Sequence, residues 1–207
     1  MRPVPTLECR RAELVPLQAD PGAPCWGQSA GAELSLVLDG ASPQQGTQVR
    51  AVWNDLELRL LWVVEDTHPW ATLTEHDAPL YTEEVVEVFL DPVGDAEAYF
   101  EIEVNPNNAV LDACMRRIRS GYRKDFRWHC EGFQSVVRRV PAGWIVEMAI
   151  PFPSVSHGAP QIGDRWRVNF TRIDRPPGLP RELSAWSPTG LAQFHVPGRF
   201  GVLVFGA

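Results

Sequence analysis

The sequence lacks the features that mark membrane proteins, zinc-binding modules and nucleic-acid-binding proteins. No apolar run approaches the roughly 18 residues that a membrane span requires. The four cysteines form no CxxC pair of the kind that holds structural zinc (Cys9, Cys25, Cys114 and Cys130). The net charge is −7 and the basic residues are scattered, which argues against a nucleic-acid partner.

The N-terminal stretch also lacks the continuous apolar segment of a secretory signal. From this we expect a cytoplasmic protein. A secreted or periplasmic protein is the alternative, if an export signal was removed or is not part of this chain. In a protein without export, free and mostly buried thiols are expected, although an even number of cysteines permits disulfides.

What is present indicates an all-β protein. The 207 residues are 44% hydrophobic and 22% charged, with nineteen prolines between short apolar runs. About 10 to 12 strands at spacings of roughly 8 to 15 residues, with no helical period, predict an antiparallel two-sheet β-sandwich. We expect one domain over residues 1–207, with its core in residues 47–205.

Several strands are indicated by strict alternation. Residues 48–53 and 56–64 predict a β-hairpin across Asn54-Asp55, and residues 133–140 and 144–150 predict a second one. Residues 99–105 and 165–174 alternate as single strands. The polar and basic segment 116–132 is predicted to be a long loop or a short helix.

The stretch 79–92 (PLYTEEVVEVFLDP) places an acid where a core residue is expected. On the strand over 83–91, Glu87 shares a face with Val85 and Phe89. A half-buried carboxylate needs hydrogen-bond donors or a cation, or its pKa shifts until it is neutral. A partner for Glu87 is therefore predicted.

Two further strands carry polar faces, with Glu101, Glu103 and Asn105 on one and Arg167, Asn169 and Thr171 on the other. A solvated outer sheet face is one interpretation. The other is a sugar-binding groove, because each sugar hydroxyl both donates and accepts hydrogen bonds, so that carboxylates and amides in fixed positions can bind it, and nearby aromatic rings can stack on a pyranose.

Five motifs in order carry a resemblance to a known family: LYTEEVVEVFLDP, YFEIEVNP, WIVEMAIPF, GDRWRVNFTR, and SAWSP followed by FHVPGRFGVLVF. The chain resembles carbohydrate-binding modules of family 9 and the wider group of DOMON-like sugar- and haem-binding β-sandwiches. The resemblance implies a binding module without catalysis, which holds a mono- or oligosaccharide between two aromatic side chains.

Carried over by position, the resemblance implies that Tyr81 and Phe194 form the two walls, where characterised members have tryptophans. It implies that hydroxyl groups are bound by Glu87, Glu103, Asn105, Asn169 and Arg172. Three of these depart from the family pattern: Glu103 replaces an arginine, Asn169 a glutamine and Arg172 an acid. These changes leave the identity of the sugar open.

Two other functions stay open from the residues. A glycosidase would pair Glu87 with Glu101 or Glu103. A haem- or metal-binding domain would use Met115, Met148, His129 or His195, although none has a diagnostic spacing. No cofactor is predicted, but calcium is possible because four acids lie near strand ends (Asp66, Glu83, Glu84 and Asp91). The oligomeric state is also open.

Overall fold

The computed structural model describes residues 3–176 and 178–207, and this part of the chain contains fourteen strands and one short helix. The strands of the first half are β1 (Thr6–Arg11), β2 (Gly31–Glu33), β3 (Ser35–Leu36), β4 (Thr47–Trp53), β5 (Glu57–Glu65), β6 (Val85–Asp91) and β7 (Ala98–Val104). Those of the second half are β8 (Val110–Ile118), β9 (Gly121–Asp125), β10 (Gln134–Val140), β11 (Gly143–Pro151), β12 (Arg165–Asp174), β13 (Glu182–Ala185) and β14 (Gly201–Phe205). The helix α1 is Phe152–Val155.

The strands form two sheets that pack face to face. The first, here called the site sheet, has the order β14-β12-β6-β7-β8-β9, with β13 beside β12 and β3 beside β13. The second, the back sheet, has the order β10-β11-β5-β4, with β2 also beside β4. The predicted all-β sandwich is confirmed, with more strands than the 10 to 12 expected.

Strand β1 joins the two sheets. Its residues 6–9 pair with β14, and Arg10 and Arg11 pair with Val52 and Trp53 of β4. Both pairings are parallel, whereas the other strand pairs in the described residues are antiparallel. The purely antiparallel prediction did not include these two parallel pairings.

The main core lies between the sheets and follows from strand alternation. Trp62, Trp144 and Trp166 are buried there. The rings of Trp62 and Phe170 meet edge to face with centroids 5.7 Å apart, which ties β5 of the back sheet to β12 of the site sheet. The four cysteines are free and buried, in agreement with the expectation from sequence.

The prediction for residues 116–132 is wrong over much of its length. Strand β8 runs through Arg116 and Arg117 to Ile118, then turns and pairs with β9. Arg116, Arg117 and Ile118 are exposed, so polar and basic side chains are compatible with a strand at this end of the sheet.

A second apolar cluster lies on the outer face of the site sheet. Strand residues such as Val85, Phe89 and Tyr99 are covered there by Leu80 and Phe200 from loops. This outer face is consequently dry over much of its area, although sheets of a sandwich usually turn that face to water. Polar side chains that lie beneath this cover, such as Glu87, are also removed from solvent. In the described part of the chain, no helix is long and apolar enough to cross a membrane.

The hairpin between β10 and β11 depends on Gly143. This residue has φ = 144°, and an added Cβ would lie 2.0 Å from the backbone oxygen of Val64. Gly121 has a similar φ of 131° but nothing within 4 Å of an added Cβ. We predict that Gly143→Ala lowers the free energy of unfolding by at least about 3 kcal/mol, because strain and clash add.

Gly121→Ala is the matched control and should cost about 1 to 2 kcal/mol, since only the backbone strain applies. Urea denaturation measures both variants. Equal losses in the two variants would contradict the assigned role of the Val64 contact.

Candidate functional site

Three carboxyl groups lie side by side on the outer face of the site sheet. Glu87 of β6 pairs with Glu103 of β7 and with Thr171 of β12, and Glu101 lies two residues from Glu103 on the same face. Glu87 and Glu101 are each 2% exposed and Glu103 is 0% exposed. These three residues are called the acidic triad below.

The members of the triad differ in their partners. Thr171 Oγ1 donates to Glu87 Oε2 at 3.1 Å, and Lys124 Nζ donates to Glu101 Oε2 at 3.1 Å. Neither oxygen of Glu103 has a hydrogen-bond partner among the described residues. The backbone N–H of Tyr81 approaches Glu103 and favours its charged form, without reaching hydrogen-bond geometry.

Burial moves the triad toward its protonated form. It raises the pKa of Glu87 to about 8, with a further increase from the charge of Glu101. Burial, followed by the charges of Glu87 and Glu101, raises the pKa of Glu103 well above its ordinary value. Burial also raises the pKa of Glu101, while Lys124 opposes that shift. Three acids thus share one lysine, and protonated carboxyls are expected near neutral pH.

Lys124 connects the triad to two exposed aromatic rings. Its Nζ lies 5.6 Å from the ring centre of Tyr81 and 6.0 Å from that of Phe126. Tyr81 and Phe126 are 40% and 41% exposed. Tyr81 lies in the 3₁₀ turn Leu80–Thr82 just before β6, and Phe126 follows β9. Both rings are therefore accessible beside a buried acidic floor.

The other predicted wall, Phe194, is buried. It is 6% exposed and its ring centre lies 6.3 Å from that of Phe89. The next residue, His195, places Nε2 3.5 Å from Glu101 Oε1 and Nδ1 3.0 Å from the hydroxyl of Tyr99. Burial, followed by the charge of Lys124, lowers the pKa of His195 to about 4, so the imidazole is neutral. Phe194 thus packs into the outer apolar cluster next to a neutral histidine.

Asn105 and Asn169 face the same side of the sheet, but their amides support neighbouring loops. Asn105 donates to the backbone oxygen of Leu73 at 2.9 Å and accepts from the backbone N–H groups of Asn107 and Ala109. Asn169 exchanges two hydrogen bonds with the backbone of Ser187, at 3.0 and 2.9 Å. Neither amide is directed by these bonds toward a guest molecule.

Arg172 lies on the opposite face of β12, with Phe170, and this position corrects its assignment to the sugar site. Its Nη2 is 2.9 Å from Asp66 Oδ2 and 3.4 Å from Asp174 Oδ1, and its Nη1 donates to the backbone oxygen of Glu65 at 2.9 Å. The guanidinium is 1% exposed. Arg172 therefore holds the ends of β5 and β12 together.

Two of the four calcium candidates, Asp66 and Glu84, come together with Asp174 next to Arg172. Burial and a hydrogen bond with Asp66 raise the pKa of Glu84 to about 9. Arg172 thus supplies the positive charge that these carboxylates require. The other two candidates serve turns: Glu83 accepts from the backbone of Thr72 and Leu73, and Asp91 accepts from that of Gly94 and Ala96.

Sequence reasoning missed Lys124, Phe126 and His195 as members of the site. Thr171 and Glu101 were visible as outward members of alternating strands. Lys124 and Phe126 belong to the segment that was predicted to be a loop, so no register could place them beside β7. The methionines considered for haem, Met115 and Met148, are each buried in an apolar cluster.

The raised pKa of Glu87 predicts how stability depends on pH. Between its unfolded pKa near 4.5 and its folded pKa of about 8, the folded protein keeps a proton that the unfolded chain releases. The free energy of unfolding should therefore fall as pH rises through this interval. Glu87→Gln should reduce that slope and stabilise the protein at about pH 8.5 by at least about 1 kcal/mol.

Urea denaturation at about pH 5 and about pH 8.5 measures this effect. Glu13→Gln, at an exposed position, is the matched control and should leave the slope unchanged. An identical slope in wild type and Glu87→Gln would show that Glu87 ionises normally.

Similar structures have been solved. A protein from Bacteroides uniformis ATCC 8492 superposes with a TM-score of 0.79 at 18% identity, covering 98% of this chain and 100% of its own. A family 9 carbohydrate-binding module from Caldicellulosiruptor kristjanssonii in complex with cellotriose has a TM-score of 0.74 at 17% identity, covering 98% of this chain and 94% of its own. A family 9 module from the same organism in complex with glucose has a TM-score of 0.72 at 18% identity, with 98% and 96% coverage.

At these identities the structures establish the fold. A search of the curated proteins found no match. The sequence profile described as "Carbohydrate family 9 binding domain-like" matches residues 20–206, which extends the resemblance seen in residues 47–205 toward the N-terminus. The chain belongs to the carbohydrate family 9 binding domain-like family.

Proposed function

We propose that this chain binds a mono- or oligosaccharide, without catalysis, over the acidic triad and beside Tyr81 and Phe126. The observation that carries the proposal is that Glu103 is buried and that its carboxyl oxygens have no hydrogen-bond partner among the described residues. A fully buried carboxyl with two unpartnered oxygens costs about 1 to 3 kcal/mol, and a guest that hydrogen-bonds to it would recover that cost.

The chemistry of the triad suits hydroxyl groups. A sugar hydroxyl donates one hydrogen bond and accepts others, and a mixture of protonated and ionised carboxyls can meet both needs. Because Lys124 is the cation that contacts the triad, raised pKa values keep the local charge low. A neutral polyol therefore fits better than an anion, which the acids would repel.

The aromatic rings suit the apolar faces of a sugar. Tyr81 and Phe126 are exposed and share Lys124, so a pyranose seated on either ring would bring its hydroxyls close to the lysine. The Caldicellulosiruptor modules of the same family, in complexes with cellotriose and glucose, support glucose and its β-linked oligomers as first candidates.

The family assignment argues for binding without hydrolysis, because the matching profile is that of a binding domain. A glycosidase needs one ionised carboxylate and one carboxylic acid, so the mixed protonation of the triad does not by itself separate the two functions.

The first test is calorimetric titration with glucose and cellotriose. Tyr81→Ala should weaken binding about 5- to 10-fold, the effect of losing roughly 1 kcal/mol of contact energy. Leu56→Ala is the matched control, because Leu56 is 71% exposed at the hairpin end of the back sheet. Unchanged affinity in Tyr81→Ala would remove this ring from the site.

The second test separates binding from stability. Glu103→Met replaces the unpartnered carboxyl by an apolar side chain of similar length, so it should raise the free energy of unfolding by about 1 to 3 kcal/mol. The same change should weaken sugar binding at least about tenfold, since it removes the buried acceptor. A variant that loses stability and keeps its affinity would contradict the role given to Glu103.

A further inference from the structure

A second cluster of ionisable side chains is built differently from the acidic triad, and its Asp112 lies on the opposite face of the site sheet, in register with Ile102 of the main core. Four side chains from three parts of the chain meet at the surface: His76 and Asp77 from the loop before β6, Asp112 from β8, and His129 from the segment after β9. Each offers one ligand atom, and the four atoms lie within 4.8 Å of one another.

We propose that this His76–Asp77–Asp112–His129 cluster is a binding site for a zinc-class divalent cation. Two imidazole nitrogens and two carboxylate oxygens match the ligand types and the number of ligands that zinc takes in proteins. Calcium is disfavoured, because it takes six to eight ligands, all of them oxygen. Neither the sugar site nor the family assignment depends on this cluster.

The distances fit a tetrahedral site. Ligand bonds of about 2.0 to 2.1 Å place neighbouring ligand atoms roughly 3.3 Å apart in a tetrahedron. His76 Nε2 lies 3.4 Å from His129 Nδ1, and His129 Nδ1 lies 3.2 Å from Asp112 Oδ1. Asp77 Oδ1 is 3.5 Å from His76 Nε2. The pairs His76 Nε2–Asp112 Oδ1 and His129 Nδ1–Asp77 Oδ2 are each 4.0 Å apart and would have to move closer around an ion.

The orientation of the groups supports a shared cation. Two histidine nitrogens, His76 Nε2 and His129 Nδ1, face each other. At most one hydrogen bond can form between them, whereas a metal ion would accept a lone pair from each nitrogen. Asp77 Oδ1 is shielded from solvent and accepts no hydrogen bond in the part of the chain that is described. Four potential ligand atoms thus converge, and the hydrogen-bond donors around them do not satisfy all four.

The surroundings hold the ligands in place and leave a path for entry. The backbone N–H of Cys130 donates to Asp112 Oδ2 at 2.9 Å, which leaves Oδ1 to face His129. The backbone N–H of Asp77 donates to the backbone oxygen of Val110 at 2.9 Å. The side chains of His76 and His129 are 51% and 55% exposed, so an ion can reach them from solvent.

The experiment uses the full chain without an affinity tag, stripped of metal with a chelator and titrated with Zn²⁺ by calorimetry at neutral pH. We expect one saturable site per chain and a higher unfolding temperature when it is filled, because the ion joins three segments. His76→Ala and His129→Ala should each lower the affinity at least tenfold, since loss of an outer-shell partner alone costs about 10- to 100-fold.

His157→Ala is the matched control, because His157 is exposed in a different loop. Both ligand histidines are at the surface, so their variants should fold, and circular dichroism checks this. In Co²⁺-loaded protein, intense visible absorption of tetrahedral type should appear and should be lost in His129→Ala. Zn²⁺ binding that is not saturable, or that is equally strong in His76→Ala and His129→Ala, would overturn the proposal.

Discussion

The structure depends on one constraint, which is the burial of three carboxyl groups on the outer face of the site sheet. Loops cover the site sheet with apolar side chains, and this cover removes Glu87, Glu101 and Glu103 from water together. Charged groups in such a place are unfavourable unless they are neutralised or paired. Within the described residues, Lys124 is the only permanent cation that contacts the triad. Protonation therefore has to neutralise the carboxyl groups that Lys124 does not pair with.

A second group of buried acids lies on the opposite face of β12, and its charge is neutralised in a different way. Asp66, Glu84 and Asp174 are also buried, but there Arg172 lies among them and Glu84 is protonated toward Asp66. That cluster contains its own cation, Arg172, and joins strand ends, although Glu84 Oε2, Arg172 Nε and Asp174 Oδ1 lack hydrogen-bond partners among the described residues. The triad differs because both carboxyl oxygens of Glu103 lack partners and because exposed rings border it. We infer that one cluster stabilises the fold and that the other is kept for a ligand.

The fold could be predicted from the sequence because alternation depends only on adjacent residues. Strand β12 was predicted with its observed bounds, and both hairpins of the back sheet were found. Strand β9 was missed because its polar residues lie on an exposed edge, where no apolar alternation is required. The two parallel pairings of β1 could not be predicted, since the partner strands are distant in sequence.

The site was predictable only in part, and the error at Arg172 has a clear cause. Strand parity already placed Arg172 with Phe170, on the inner face, whereas its position in the family pattern assigned it to the sugar site; the parity was right. Glu87 was found because it interrupts an apolar strand face, and Glu103 because it lies on the polar face of an alternating strand at a position that the family resemblance assigns to the site. Lys124, His195 and the pair His76 and His129 come from loops or edges, and their approach is set by tertiary packing that no local pattern encodes.

The most direct test of this account is the titration of the triad itself. Carbon-13 NMR of the glutamate carboxyl groups, recorded with and without cellotriose, reports the protonation of each residue. The account predicts that the Glu87 signal titrates near pH 8 in the free protein and that the Glu87 and Glu103 signals move when the sugar is added. Titration of Glu87 near its ordinary value of 4.5, with no response of either signal to sugar, would contradict it.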